Sequence, residues 1–280
     1  MTLDGLAANP PLITDSQLMS EQNPYQTSPS QGPKKSDSGF ELYKPTIAFV
    51  APFIIFLVAV QFYPSFAGEQ QLSTDTISQN TITYMIMLVG QIIVAASLLL
   101  YFRPIYLRHF PFKFSWLSVV VGVVGIVVWV GLCHLEIEKS IMTAIGLGPS
   151  GESRPAFNPF EHLPNTMWRI AFLVPRFLVL ALIVPLVEEL FLRGWLVRYV
   201  EDVDWEPIAL SGLGWSALIA PTIYGVATHP GEAIAAIAWF SLVTLLMVRT
   251  KNVWDCVVAH AVTNLLLGVY VIWFEQWQLW

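Results

Sequence analysis

Pro185-Leu-Val-Glu-Glu-Leu-Phe-Leu-Arg-Gly194 decides how this chain is read. It lies inside an apolar run from about residue 170 to 200. A charged side chain at the centre of a membrane helix costs roughly 2.5–3.5 kcal/mol on insertion scales, so two carboxylates and an arginine there point to function. Helical spacing divides their roles. Glu189 and Arg193 are four residues apart with the acid first, which puts them on one face and predicts an ion pair. Glu188 falls about 100° round the helix from Glu189, with nothing beside it in sequence to pair with. The sequence therefore suggests a Glu189–Arg193 brace and a second carboxylate, Glu188, left for chemistry. The competing reading is an intramembrane ion pair with a spare acid at a helix end.

The surroundings set the class. Of 280 residues, 55% are hydrophobic and 12% charged, and the mean hydropathy is +0.60. Soluble domains carry about 25% charge. The expectation is an all-α, polytopic membrane helical bundle of about seven to eight transmembrane helices, with a catalytic cavity within the membrane. A net charge of −6 argues against a nucleic-acid partner. Cys133 and Cys256 both fall in apolar runs and read as packing residues. No HExxH and no CxxC pair is present.

Residues 1–45, rich in Pro, Ser, Gln and Asn at the start, read as a disordered polar cytoplasmic tail. Asp4 and Asp15 break the pattern of a cleaved signal peptide. Residues 46–280 read as the transmembrane domain. Apolar spans are expected at 46–63, 82–102, 116–135, 170–200, 207–228, 233–248 and 253–274. A polar loop at 136–166 contains a short apolar piece, 141–147. Trp273, Trp277 and Trp280 read as an interfacial anchor. The 170–200 span carries Pro175 and Pro185 as kink sites, and at roughly 45 Å it outruns the hydrocarbon core. Lys and Arg gather before the first span and after the second, fourth and sixth, whereas the loop after the first span has none. That asymmetry puts the N-terminus in the cytoplasm.

Two histidines lie in the C-terminal half of the transmembrane domain. His229 closes the 207–228 span in Tyr224-Gly-Val-Ala-Thr-His229-Pro230; alone, it reads more readily as an interfacial residue at a helix end than as a catalyst. His260 and Asn264 are four apart inside the last span. Two polar groups on one face of a membrane helix turn inward, toward protein or water, where helix-to-helix hydrogen bonding would account for them equally well. With a free carboxylate in the same bundle, chemistry becomes the better account. A carboxylate and a His can hold a water and act on it as a general base. A second His and an amide can donate to a carbonyl oxygen as it becomes an oxyanion. Glu188, His229, His260 and Asn264 thus supply hydrolysis without a covalent nucleophile, with Glu189 and Arg193 in support and with neither metal nor cofactor. The alternative is a catalytic zinc on Glu188, His229 and His260 with a water in the fourth position. Two other classes are a non-catalytic membrane scaffold or protective factor, which has no use for a free acid, and a proton-coupled carrier, which has no use for Asn264.

The three motifs, Glu188-Glu189-x-x-x-Arg193, an aromatic ahead of His229, and His260-x-x-x-Asn264, resemble in order those of the CPBP family of CAAX prenyl endopeptidase-like membrane proteases. The resemblance covers about 168–280. It is nearest to the bacterial CAAX prenyl protease-related branch associated with exosortase systems. It implies an intramembrane glutamate-type protease of the bacterial inner membrane, opening to the cytosol. Its substrate would be a peptide or protein at the membrane, lipidated or exosortase-linked. By the resemblance, Glu188 and His229 activate the water, His260 and Asn264 form the oxyanion site, and Glu189 and Arg193 support them. One departure stands out. Gly225 holds the position four before His229 where the family has Phe, and the aromatic, Tyr224, is five before. An extra residue in an unbroken helix would re-aim the His by about 100°. Straight helices would also keep His229 and His260 near opposite ends of the bundle.

Overall fold

The computed structural model describes residues 39–64, 77–145 and 157–279. The expected tail up to residue 38, the Lys-free loop at 65–76, the 146–156 part of the polar loop and Trp280 lie outside the described residues. The described chain is helical: α1 (Gly39–Val60), α2 (Gln79–His109), α3 (Trp116–His134), α4 (Ile137–Ala144), α5 (Pro159–His162), α6 (Thr166–Glu201), α7 (Trp215–Thr228), α8 (Ala233–Thr250) and α9 (Val253–Phe274).

Six helices, not seven or eight, are long and apolar enough to cross a membrane among the described residues. The protein is an integral membrane protein. The difference lies in the expected 207–228 span. Pro207, Gly212 and Gly214 keep its first part out of helix, and the Glu201 carboxylate accepts the Gly214 amide at 2.7 Å to close the loop. Helix begins only at Trp215 and stops before His229-Pro230, which leaves 14 residues. At about 21 Å, α7 falls short of a core about 30 Å thick.

Hydrogen bonds and ring contacts define two ends of the bundle. At the basic end, Asn252 Nδ2 donates to the Lys113 carbonyl at 2.7 Å. There the Ser115 amide donates to Asp255 at 2.6 Å, and Trp205 Nε1 to Thr46 Oγ1 at 2.9 Å. At the far end, the Ile234 amide donates to Glu138 at 2.7 Å, Tyr270 meets His134 at 3.2 Å, and Phe160 lies 5.8 Å from the Trp277 ring. Small residues draw α3 onto α9: a Cβ on Gly122 would stand 2.7 Å from the Ala259 carbonyl oxygen. Thr263 Oγ1 secures the crossing by donating to the Gly122 carbonyl at 2.9 Å.

Helix α6 carries the opening motif, and its backbone register slips on both sides of it. Two π-helical turns, Val179–Ile183 and Leu190–Leu196, bracket Val184–Glu189. In the first, the Val184 amide reaches back five residues to the Val179 carbonyl. The next donor in that register would be residue 185, and proline has none. The Leu180 carbonyl thereby loses both donors that an α or a π register would give it. An unpaired backbone carbonyl is costly in an apolar interior. Asn264 Nδ2 on α9 supplies the missing bond at 2.9 Å.

Candidate active site

Glu189 and Arg193 form the brace that their spacing predicts, and it is completely buried. Arg193 Nη1 donates to both Glu189 oxygens at 2.8 Å, and Nη2 donates to the Phe240 carbonyl at 3.3 Å. The guanidinium carbon stands 5.4 Å from the Phe240 ring centroid. The carboxylate has a second partner that the sequence did not disclose, because it comes from a distant helix. His260 Nδ1 donates to Glu189 Oε1 at 2.9 Å. With a carboxylate as acceptor, the proton sits on Nδ1, and Nε2 of the neutral ring carries the lone pair. The ring plane stands edge-on to Trp239 at 4.6 Å.

Glu188 points to a different environment, as its rotation round α6 requires. Its Oε1 accepts the Tyr224 hydroxyl at 3.1 Å, and the residue lines a cavity of about 440 Å³. Tyr224 was not among the expected site residues. The signal that would have found it is its phenol, a polar group in an apolar helix that needs a partner. His229, His260 and Asn264 line the same cavity. All four expected catalytic residues are therefore gathered on one wall system, with Glu189 and Arg193 behind it. Apolar lining comes from Phe56, Val184 and Leu267.

His229 reaches the cavity by leaving the helix. It is the residue after α7, with φ −128° and ψ 59°, so the 100° re-aiming expected of an unbroken helix does not arise. Its Nδ1 donates to the Gly225 carbonyl at 3.1 Å, and its ring stands edge-on to Trp129 at 5.3 Å. The motif departure at Gly225 has a packing reason. The ring of Phe240 on α8 lies where a side chain at 225 would be, 2.2 Å from the place of a Cβ. An aromatic from the next helix thus occupies the space beside the motif. The two histidines, near opposite ends, are spanned by consecutive residues of α8. Trp239 meets His260, and Phe240 lies 6.2 Å from His229.

Among the described residues, no three His, Cys, Asp or Glu side chains gather closely enough to hold a metal ion. Glu188, His229 and His260 do not converge as such a group here.

Residues 170–266 match the family model described as type II CAAX prenyl endopeptidase Rce1-like. The resemblance to the CAAX proteases holds. The matched segment, about a third of the chain, contains Glu188, Glu189, Arg193, His229, His260 and Asn264. It implies a membrane-embedded endopeptidase of the CAAX type acting on peptides at the membrane. No curated protein and no solved structure matches the chain. Helices α1 to α3 lie outside the CAAX-protease-like segment, yet Phe56, Gln91 and Trp129 from them complete its cavity.

Proposed function

We propose that this protein is an intramembrane endopeptidase that hydrolyses a peptide bond of a membrane-associated substrate with water activated by Glu188. The observation that carries the reading is the division of the two glutamates. Arg193 and His260 are spent on Glu189, whereas Glu188 shares the cavity wall with His229, His260 and Asn264.

Glu188 accepts a proton from water as the water oxygen bonds to the scissile carbonyl carbon. His229 Nε2, whose ring orientation is held by the Gly225 carbonyl, accepts the water's second hydrogen bond. The tetrahedral oxyanion needs donors. Asn264 keeps one amide N–H after its bond to Leu180, and His260 donates through Nε2 only as imidazolium. The C–N bond then breaks, and the departing nitrogen takes the proton from Glu188. In this reading the N-terminus is cytoplasmic and the protein sits in a bacterial inner membrane.

The test is cleavage of a membrane-anchored reporter library by purified protein in lipid. The library includes prenylated C-termini and the membrane-proximal segments of sorted proteins. Wild type is run beside Glu188→Gln, with and without a strong chelator. Cleavage that disappears in Glu188→Gln and ignores the chelator is the expected result. Loss to the chelator with restoration by zinc would move Glu188, His229 and His260 to metal ligands. Cleavage that survives Glu188→Gln would sink the mechanism, and a chain that cleaves nothing in the library would favour the scaffold reading.

A further inference from the structure

We infer that the cavity is entered from the extracytoplasmic face, so that its substrates are polypeptide segments exposed on that side of the membrane. The word substrate rests on the protease reading; the route into the cavity does not. The CAAX-protease resemblance implies the opposite, a cytosolic opening, so the point turns on this chain's own residues.

The cavity runs from Glu188 and His260 inside the bundle toward the far end. There its wall is made by Val60 and Tyr63 at the close of α1, His229 and Glu232 between α7 and α8, and Leu279 after α9. The segments of the basic end, 103–115, 194–215 and 249–254, contribute no lining residue. That end is instead filled. The Arg198 guanidinium carbon lies 4.4 Å from the Trp205 ring centroid, 4.9 Å from Phe110 and 6.0 Å from Phe49. Phe49 and Trp205 are buried and meet edge-on at 5.5 Å. Nε of Arg198 donates to the Gly194 carbonyl at 2.8 Å, which fixes the cation in the stack. A cation held against three rings packs the core of this end.

Charge says which end is which. Of the 14 Lys and Arg residues, only Lys139, Arg154, Arg169 and Arg176 belong in sequence to the far end. Among the described residues, Lys44, Arg103, Arg108, Lys113, Arg198, Arg249 and Lys251 belong to the basic end, Lys113 and Lys251 in short connections. Short loops rich in Lys and Arg stay in the cytoplasm. The packed end is then cytoplasmic, and the end where the cavity wall reaches the loops is outside. At this end the cavity wall carries one carboxylate, Glu232, and one cation, Arg176.

Single-cysteine labelling in right-side-out membrane vesicles tests the route without needing cleavage. Gly231→Cys reports the far end, where an added Cβ meets nothing within 4 Å. Ser211→Cys, on an exposed turn, reports the basic end. Leu267→Cys reports the cavity wall. The parent chain, with Cys133 and Cys256 only, gives the background. A membrane-impermeant maleimide added outside is expected to label Gly231→Cys and Leu267→Cys, and Ser211→Cys only after permeabilisation. Labelling of Ser211→Cys from outside, with Gly231→Cys protected, overturns the inference. So does a Leu267→Cys thiol that reacts only once the vesicles are opened. Should Leu267→Cys fail to accumulate, Val60→Cys on the same wall takes its place. A protein that labels as expected yet cleaves no reporter overturns the protease reading and leaves the route intact. One that cleaves but labels in reverse does the opposite.

Discussion

Adjacent glutamates, one helical step apart, end in opposite circumstances. Glu189 is wrapped by a guanidinium and an imidazole, while Glu188 faces a cavity with one phenol on it. Spacing along a single helix made the brace and the free acid legible, because the i, i+4 rule needs only local geometry. Tyr224 and the Glu189–His260 bond were not legible, since each joins helices far apart in sequence. Tyr224 acts on Glu188 through one hydrogen bond, which gives it a positioning role. A hydrogen bond to a charged group is worth about 1.5–3 kcal/mol. Tyr224→Phe is therefore expected to lower kcat by roughly 10- to 100-fold. KM stays near that of wild type, and thermal stability falls by no more than the loss of that one bond. A fall in melting temperature with kcat per folded molecule unchanged would mark Tyr224 as packing alone.

At the scale of elements, α6 is the helix whose register the sequence concealed. Pro185 pointed to a kink, but the two π-helical turns and the exposed Leu180 carbonyl follow from hydrogen-bond registers that hydropathy does not encode. The Asn264 amide serves that carbonyl as well as facing the cavity. Asn264→Ala should lower stability by about 1–3 kcal/mol, the cost of a buried acceptor left unpaired. Pro185→Ala returns a backbone donor beside Leu180, so the Asn264→Ala penalty should shrink in that background. A double-mutant cycle on melting temperatures that shows no coupling would refute this account of the bond. The α7–α8 contact gives a second prediction. Gly225→Ala drives a methyl into the Phe240 ring and should cost about 1–3 kcal/mol. Phe240→Leu in the same chain should recover part of it, as read by thermal unfolding in detergent. The length of α7 was misjudged for a plain reason. Residues 207–228 are apolar enough for a span, and composition cannot tell whether Gly212 and Gly214 turn the chain or lie within a helix.

Across the whole molecule, the membrane class and the order of helices were readable because hydrocarbon enforces both backbone satisfaction and span length. The polar residues that line the cavity were readable as candidates because charge and amide groups are conspicuous in such a composition. What the sequence left open was depth. His229 and His260 sit near opposite ends, and only the course of α8 between them, with Trp239 and Phe240 side by side, brings both to one chamber.

The shortness of α7 carries a consequence for the solvent around the protein. Its outer stripe, Trp215, Ile219 and Ile223, is exposed as a lipid-facing surface, yet the helix is about 9 Å shorter than an ordinary hydrocarbon core. Acyl chains that meet this stripe must tilt or shorten to match it, thinning the bilayer on the flank nearest Tyr224 and Glu188. A hydrolase sunk in oil depends on a supply of its second reactant. A dent in the lipid beside Glu188 shortens the distance that water has to travel.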